Sequence, residues 1–521
     1  MDFASPINIT LADTGYSAYS QNPVAVGLTS LVTALVGLLA YLSYTPSVDK
    51  KAPALLTTGT TPFIGSFEYL QRQWTFWRKA RAQSRTGNFS FWLGKHHVVG
   101  ISGPNARKVF FETPELEFTS GQALRAFGLH FVPPVPGIFK PGFHKGRSYF
   151  IRRLYELHKT EHLVRYLPSL TRDARLGFEA LDENSTAVAD TSGVCCRIVF
   201  AQDCRLMCTD EIADDPKLFD RVLGYYEFLQ SAHSLYNVPF PWLPSVSYVR
   251  RRYVRATLIR IMTGLLNKRI KEGTAGKDDA MSMLLNHGDR EDWIIEFLIS
   301  VLFISPGNSR VLGGHMLNIM AMHPRWQEAI YDEIKAATAA HSRNSNTAAT
   351  LIDHLDSLPL EAWESSFPTL ELCFREAIRM WTAFGMVRLN ISDKAIPISG
   401  SDEVIPPGSW VVYNSTEAHY SPELYPEPTK FDPERFLEGR EEFKKEPYGF
   451  LGWGAGRHPC PGVRWAKLQM IIIVAYALAR FRWISCDEHG RPIKPALHRK
   501  ELDDPRATAF GKFYCKYVPR E

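Results

Sequence analysis

The chain has 521 residues, 45% of them hydrophobic and 22% charged, which excludes a disordered or fibrous class. A net charge of +5 is too small and too dispersed for a nucleic-acid partner, and suits an acidic protein or an anionic membrane surface. Eight cysteines without repeated CxxC spacing exclude a zinc ribbon; in a chain of this length they read as reduced and cytosol-facing.

Residues 1–22 form a short polar tail. Pro23 to Tyr44 then carries no charge. A helix of this length reaches about 33 Å, enough to cross a bilayer core. Tyr41 and Tyr44 suit the interface, and Lys50 and Lys51 follow while no basic residue precedes. The positive-inside rule therefore predicts a single span with a lumenal N-terminus and a cytosolic body. Asn8-Ile9-Thr10 is a glycosylation sequon on the lumenal side. Residues 45–66, with Pro53, Pro62 and Gly65, read as a stiff linker, and residues 67–521 as the catalytic domain.

Within the body, Phe89 to Leu93 and His97 to Ile101 flank Gly94-Lys95 and predict a β-hairpin. Pro104 suits the first turn of a helix. Cys204 and Cys208 stand one turn apart and read as buried helix positions. Glu291 to Met322 is apolar nearly all round and predicts a helix of about 48 Å. Asp289 is its expected N-cap and Pro324 its stop. Arg310 would sit awkwardly in lipid, so the helix reads as a buried core element. Pro306 lacks an N–H and predicts a kink within it. Residues 339–349 are polar and read as an exposed loop.

The chemistry concentrates at Gly452-Trp453-Gly454-Ala455-Gly456-Arg457-His458-Pro459-Cys460-Pro461-Gly462. The glycines permit a tight backbone that a flat group can approach. Cys460 precedes an apolar helix from Val463 to Phe481, whose N-terminal dipole favours a thiolate. This stretch resembles the haem-binding loop of the cytochrome P450 superfamily, with Gly454, Gly456, His458, Cys460 and Gly462 matching. Trp453 stands where Phe is usual and His458 where Arg is usual. The resemblance implies a mostly α fold with a small β region, preceded by one transmembrane helix. It also implies haem b held by Cys460 as axial thiolate ligand, which promotes O–O cleavage.

Further landmarks follow in the expected order. Glu376-Ala377-Ile378-Arg379 resembles the family's Glu-x-x-Arg, and Pro433-Glu434-Arg435-Phe436 resembles its Pro-Glu-Arg-Phe. The resemblance implies a buried structural triad of Glu376, Arg379 and Arg435, since buried charges must be paired. It implies propionate contacts from Arg388 and Arg153; a solvated basic face is the other reading of Arg153.

One landmark is missing. The family places an acid and a Thr on the long helix over the iron. Counting back from His323-Pro324 puts Gly307 at the acid's place and Asn308 at the Thr's. A second register aligns Gly307 with the family Gly and Arg310 with the Thr, and neither supplies an acid–Thr pair. Asn308 and Ser309 are therefore the catalytic candidates, ordering water in place of Thr. The resemblance, which is to membrane-anchored, microsomal and fungal secondary-metabolism members, implies monooxygenation of a lipophilic terpenoid or polyketide-like metabolite. It implies an NADPH-dependent reductase as partner and the endoplasmic reticulum membrane as location. The gap leaves two alternatives: a haem-thiolate isomerase needing no reductive oxygen activation, and a non-catalytic haem-binding protein. Candidate pocket residues are Phe127, Leu129, Phe131, Phe303, Ala383, Phe384 and Met386.

Overall fold

The computed structural model describes residues 23–44, 47–57, 59–61, 63–119, 137–140, 147–231, 245–341, 349–382, 385–493, 502–503 and 513–520. The tail with Asn8, the pocket candidates Phe127, Leu129, Phe131, Ala383 and Phe384, and most of the 339–349 loop lie outside them.

The apolar N-terminal segment is one helix, α1 (Pro23–Ser43). Leu31, Val36 and Tyr41 are exposed along it, as a candidate membrane anchor requires. The segment after it is less free than its composition suggests. Leu56 N donates to Ser90 O at 2.8 Å, and Ser66 N to Trp92 O at 2.8 Å. Ala54, Leu56 and Ser66 thus bond to the hairpin of β1 (Phe89–Leu93) and β2 (His96–Gly100), which starts one residue earlier on its second strand than expected.

That hairpin forms one end of a five-stranded sheet with β3 (Leu116–Glu117), β5 (Gly385–Asn390) and β6 (Trp410–Asn414), in the order β1-β2-β6-β5-β3. A second sheet joins β4 (Val188–Asp190), β9 (Phe481–Cys486) and β10 (Tyr514–Pro519), with β10 in the middle. The strands numbered between these belong to the site.

Helices make up the rest. After α2 (Tyr149–Leu157) come α3 (Thr160–Glu179), α4 (Thr191–Met207) and α5 (Pro216–Ser231). The long apolar segment is two helices, α6 (Glu291–Ile304) and α7 (Pro306–Met322), separated at Ser305. Ser305 keeps helical dihedrals (φ −64°, ψ −56°), so the break is a lost hydrogen bond at Pro306 rather than a turn. Pro324 ends this element and opens the next, as a proline at a first helical position can. Asp289 is not the N-cap: that position belongs to Arg290, without a side-chain cap. Asp289 instead accepts from Tyr149 Oη at 2.7 Å and from Arg153. Both donors come from α2, far away in sequence.

Helices α3, α4, α7 and α10 (Val463–Arg480) pack around one core, with α8 (Leu351–Asp356) and α9 (Pro368–Trp381) against its flank. Met316, Leu317, Ile319 and Met320 on α7 and Ile472 to Ala475 on α10 are fully buried. Burying each such aliphatic side chain contributes about 1.5–3 kcal/mol. The apolar composition of α7 is thereby spent inside the protein, with Arg310 directed at Cys196 on α4 at 3.9 Å. Cys204 and Cys208 are buried there as well.

Candidate functional site

The stretch before α10 folds as a miniature hairpin, β7 (Gly454–Ala455) against β8 (His458–Pro459). Gly454 (φ +67°) and Gly456 (φ +60°) both lie in the left-handed region, where side chains are disfavoured. Space forbids them too. A Cβ on Gly456 would stand 2.3 Å from Phe111 O, and one on Gly454 2.8 Å from His458 O. The hairpin closes where Cys460 N donates to Trp453 O at 2.7 Å. The Trp453 ring meets Phe374 of α9 edge-on at 5.8 Å. Cys460 is therefore fixed at the head of α10, half-buried. Burial pushes its thiol up, and the Gly462 amide pulls the other way. A thiolate here requires a cation, and a bound iron supplies one.

Behind the loop lies the charge cluster. Glu376 and Arg379 are fully buried and Arg435 nearly so. Glu376 accepts from Arg379 Nε at 2.7 Å and from Arg435 Nε at 3.1 Å. A fourth member escaped the sequence reading: Glu442 accepts from Arg435 at 2.8 Å and from Arg440 at 2.7 Å. The cluster also reaches the cysteine loop. Arg379 donates to His419 O at 2.5 Å, and His419 Nε2 accepts from Leu451 N at 2.9 Å, one residue before Gly452.

Arg388 on β5 is buried, and its Nε has no hydrogen-bond partner. Its guanidinium lies 4.8 Å from the rings of Phe110 and Phe118. His458 stacks against the same Phe118 ring, at 5.4 Å. Burial lowers Arg388 to about 10, and burial together with Arg388 lowers His458 to about 4. The Glu117 carboxylate offsets both shifts only in part, so the two basic groups leave room for a further anion beside them. Arg153 is differently placed. It pairs with Glu156 at 2.7 Å and with Asp289, leaving its Nε without a partner.

At the helix break, Pro306 and Ser309 are buried while Ile304 and Asn308 are exposed. The two catalytic candidates thus stand on different faces. Beside Gly307 stands a side chain from another helix. A Cβ on Gly307 would lie 3.4 Å from Gln230 Nε2 of α5, which donates to Phe303 O at 2.9 Å. Of the pocket candidates, Phe303 is half-buried and Met386 buried.

A free thiol heading a helix, a cradle closed to side chains and a buried guanidinium whose Nε is unpartnered fit a planar iron cofactor bearing carboxylates. The family model described as cytochrome P450 matches residues 58–502. The chain belongs to the cytochrome P450 family. It is 53% identical to cytochrome P450 monooxygenase nsrP of Aspergillus novofumigatus over 95% of this chain and 96% of that one. It is 49% identical to cytochrome P450 monooxygenase AacuE of Aspergillus aculeatus over 95% and 98%. The fold matches a retinoic-acid-bound cyanobacterial P450 structure, at 19% identity and a TM-score of 0.68, covering 91% of this chain and 100% of that one. The family implies a haem-thiolate cofactor, a small-molecule substrate and a redox partner.

Proposed function

We propose that this P450 is a monooxygenase of a lipophilic secondary metabolite, terpenoid or polyketide-like, using haem b ligated by Cys460. The observation that carries the reading is the glycine-built Cys460 loop, whose His458 shares the Phe118 ring with the buried Arg388. The similarity to monooxygenases of Aspergillus supports the reaction class over isomerisation or simple haem binding. Electrons would come from an NADPH-dependent reductase. With α1 as a single span, followed by Lys50 and Lys51, the catalytic domain faces the cytosol at the endoplasmic reticulum, and Asn8 lies on the lumenal side as a glycosylation acceptor.

When bound, the haem would supply oxygen activation, helped by electron donation from the Cys460 thiolate. The chain supplies the rest. Cys460 ligates the iron, with Trp453, Gly454 and Gly456 shaping its loop. Arg388 and His458 hold the propionates, and Arg153 contributes its unpartnered Nε. Glu376, Arg379 and Arg435 keep the loop in place through His419. Asn308 presents an amide on the open face of the break, where it would orient a polar substrate group; Ser309 supports it from the buried face.

The test is co-expression with a reductase in a host fed terpenoid and polyketide candidates under isotopically labelled dioxygen. A product carrying one labelled oxygen, formed only with the reductase, is the expected result. Conversion without reductase would establish the isomerase alternative. Ligand-induced spectral change with no product from any candidate would favour the non-catalytic one.

A further inference from the structure

Asp203 on α4 is fully buried, and three helices converge on it. Its Oδ1 accepts from Trp465 Nε1 at 2.8 Å and from Gln469 Nε2 at 3.2 Å. Both donors lie on α10, within three turns of Cys460. Ser305, at the break between α6 and α7, lies against the same carboxyl. Oδ2 has no hydrogen-bond partner.

No cation neutralises this group among the described residues. Arg205, further along α4, is taken by Asp173, Asp210 and Asp214. Arg310 on α7 turns to Cys196. The adjoining Cys204 thiol is itself pushed up by burial, so it stays neutral and adds no charge beside Asp203. A lone carboxylate in such a place is costly, and keeping a proton relieves the cost. Burial pushes Asp203 up to about 7, against the hydrogen bonds from Trp465, Ser305 and Gln469.

Ser305 and Asn308 are three residues apart and so neighbours on the helix surface. A hydroxyl can accept a proton on one side while releasing its own on the other; an Asn amide cannot. We propose that Asp203 is the proton donor of oxygen activation, passing its proton through the Ser305 hydroxyl to the open face at Asn308, in place of the acid that Gly307 lacks. The inference rests on the monooxygenase reading. That reaction consumes substrate, dioxygen, two electrons and two protons, and yields hydroxylated substrate and water. The electrons come from the reductase. Asp203 gives up a proton, becomes a carboxylate and recovers the proton from water, with no electron passing through it.

Asp203→Asn keeps the shape and the acceptor for Trp465 but cannot cycle a proton. The probe is thioanisole, oxidised to its sulfoxide either with NADPH, reductase and dioxygen, or with hydrogen peroxide, which brings its oxygen, electrons and protons together. The reductase-driven rate should fall about a hundredfold, the low end of what a positioned acid contributes. The peroxide-driven rate and the thiolate spectrum with carbon monoxide should stay at wild-type values. Ser305→Ala should show the same split. The wild-type reductase-driven rate should fall as pH rises through the Asp203 pKa, because the acid form is the donor. Infrared spectra of the resting protein, without turnover, should show a protonated carboxyl band that shifts in heavy water, titrates near neutrality and is missing from Asp203→Asn.

Equal reductase-driven rates in wild type and both variants, or no such band, would overturn the proposal. If Asp203→Asn does not bind haem, Ser305→Ala and the infrared band decide. If neither oxidant drives the wild type, the monooxygenase reading fails separately, while the band still reports whether Asp203 holds a proton.

Discussion

Cys460 and the break at Ser305 are held in opposite ways. Around Cys460 the backbone has no freedom: glycines stand where no Cβ fits, the Cys460 amide is bonded to Trp453, and a four-member charge cluster is tied to Leu451 through His419. Around Ser305 a hydrogen bond has been removed by Pro306, Gly307 contributes no side chain, and polar groups arrive from other helices: Gln230 from α5 and Asp203 from α4. The first region supports one geometry. The second is assembled from three helices and can be rebuilt by changing residues distant in sequence. The lesson is that the cysteine loop is shaped by its own local sequence, whereas the helix break is furnished by packing.

The strongest way to break this contrast is at Cys460. Reduced protein with carbon monoxide should show the red-shifted Soret band of thiolate ligation, and Cys460→Ser should abolish it. Retention of the band would mean that another residue holds the iron, and the rigidity of the loop would then have some other purpose.

Next comes the cluster behind the loop. Glu376→Ala leaves Arg379 buried without its carboxylate and weakens the hold on Arg435, so it should destabilise the protein by about 3–5 kcal/mol. Thermal denaturation of the haem-loaded protein measures this. Because Arg379 and His419 connect the cluster to Leu451, haem retention during purification should fall with it. A variant with normal stability and haem content would show that the loop holds its own shape.

Legibility in the sequence follows the same division. The Cys460 loop was readable because its residues are consecutive and each glycine has a local reason to be there. The helix break was readable because Pro306 acts on its own turn. Glu376, Arg379 and Arg435 were recognisable only through the family resemblance, since Glu376 and Arg435 stand 59 residues apart. Glu442 carried no mark, being one glutamate in a charged segment. Asp289 was misread as a cap because its real partners, Tyr149 and Arg153, are 140 and 136 residues away. Asp203 was invisible for the same reason: nothing in its local sequence says that Trp465, Gln469 and Ser305 will close around it.

Asn308 tests the other side of the contrast, with the smallest expected effect. It lies on the open face of the break, where an amide can orient but cannot relay. Removing an orienting contact costs on the order of a hundredfold in rate, about 2.7 kcal/mol. Asn308→Ala should therefore slow turnover by that factor while leaving the thiolate spectrum intact, because Asn308 stands exposed on the helix break, apart from the bonds that hold the Cys460 loop. Asn308→Thr separates the roles. If protons come through Asp203 and Ser305, a Thr hydroxyl beside Ser305 adds a second exchanging group, and product formed per NADPH should hold or rise. If the reaction were an isomerisation, the same change would lower turnover and the reductase would be dispensable in the parent. Normal rates in both variants would move Asn308 away from the chemistry and leave the register that aligns Arg310 with the Thr position as the one to pursue.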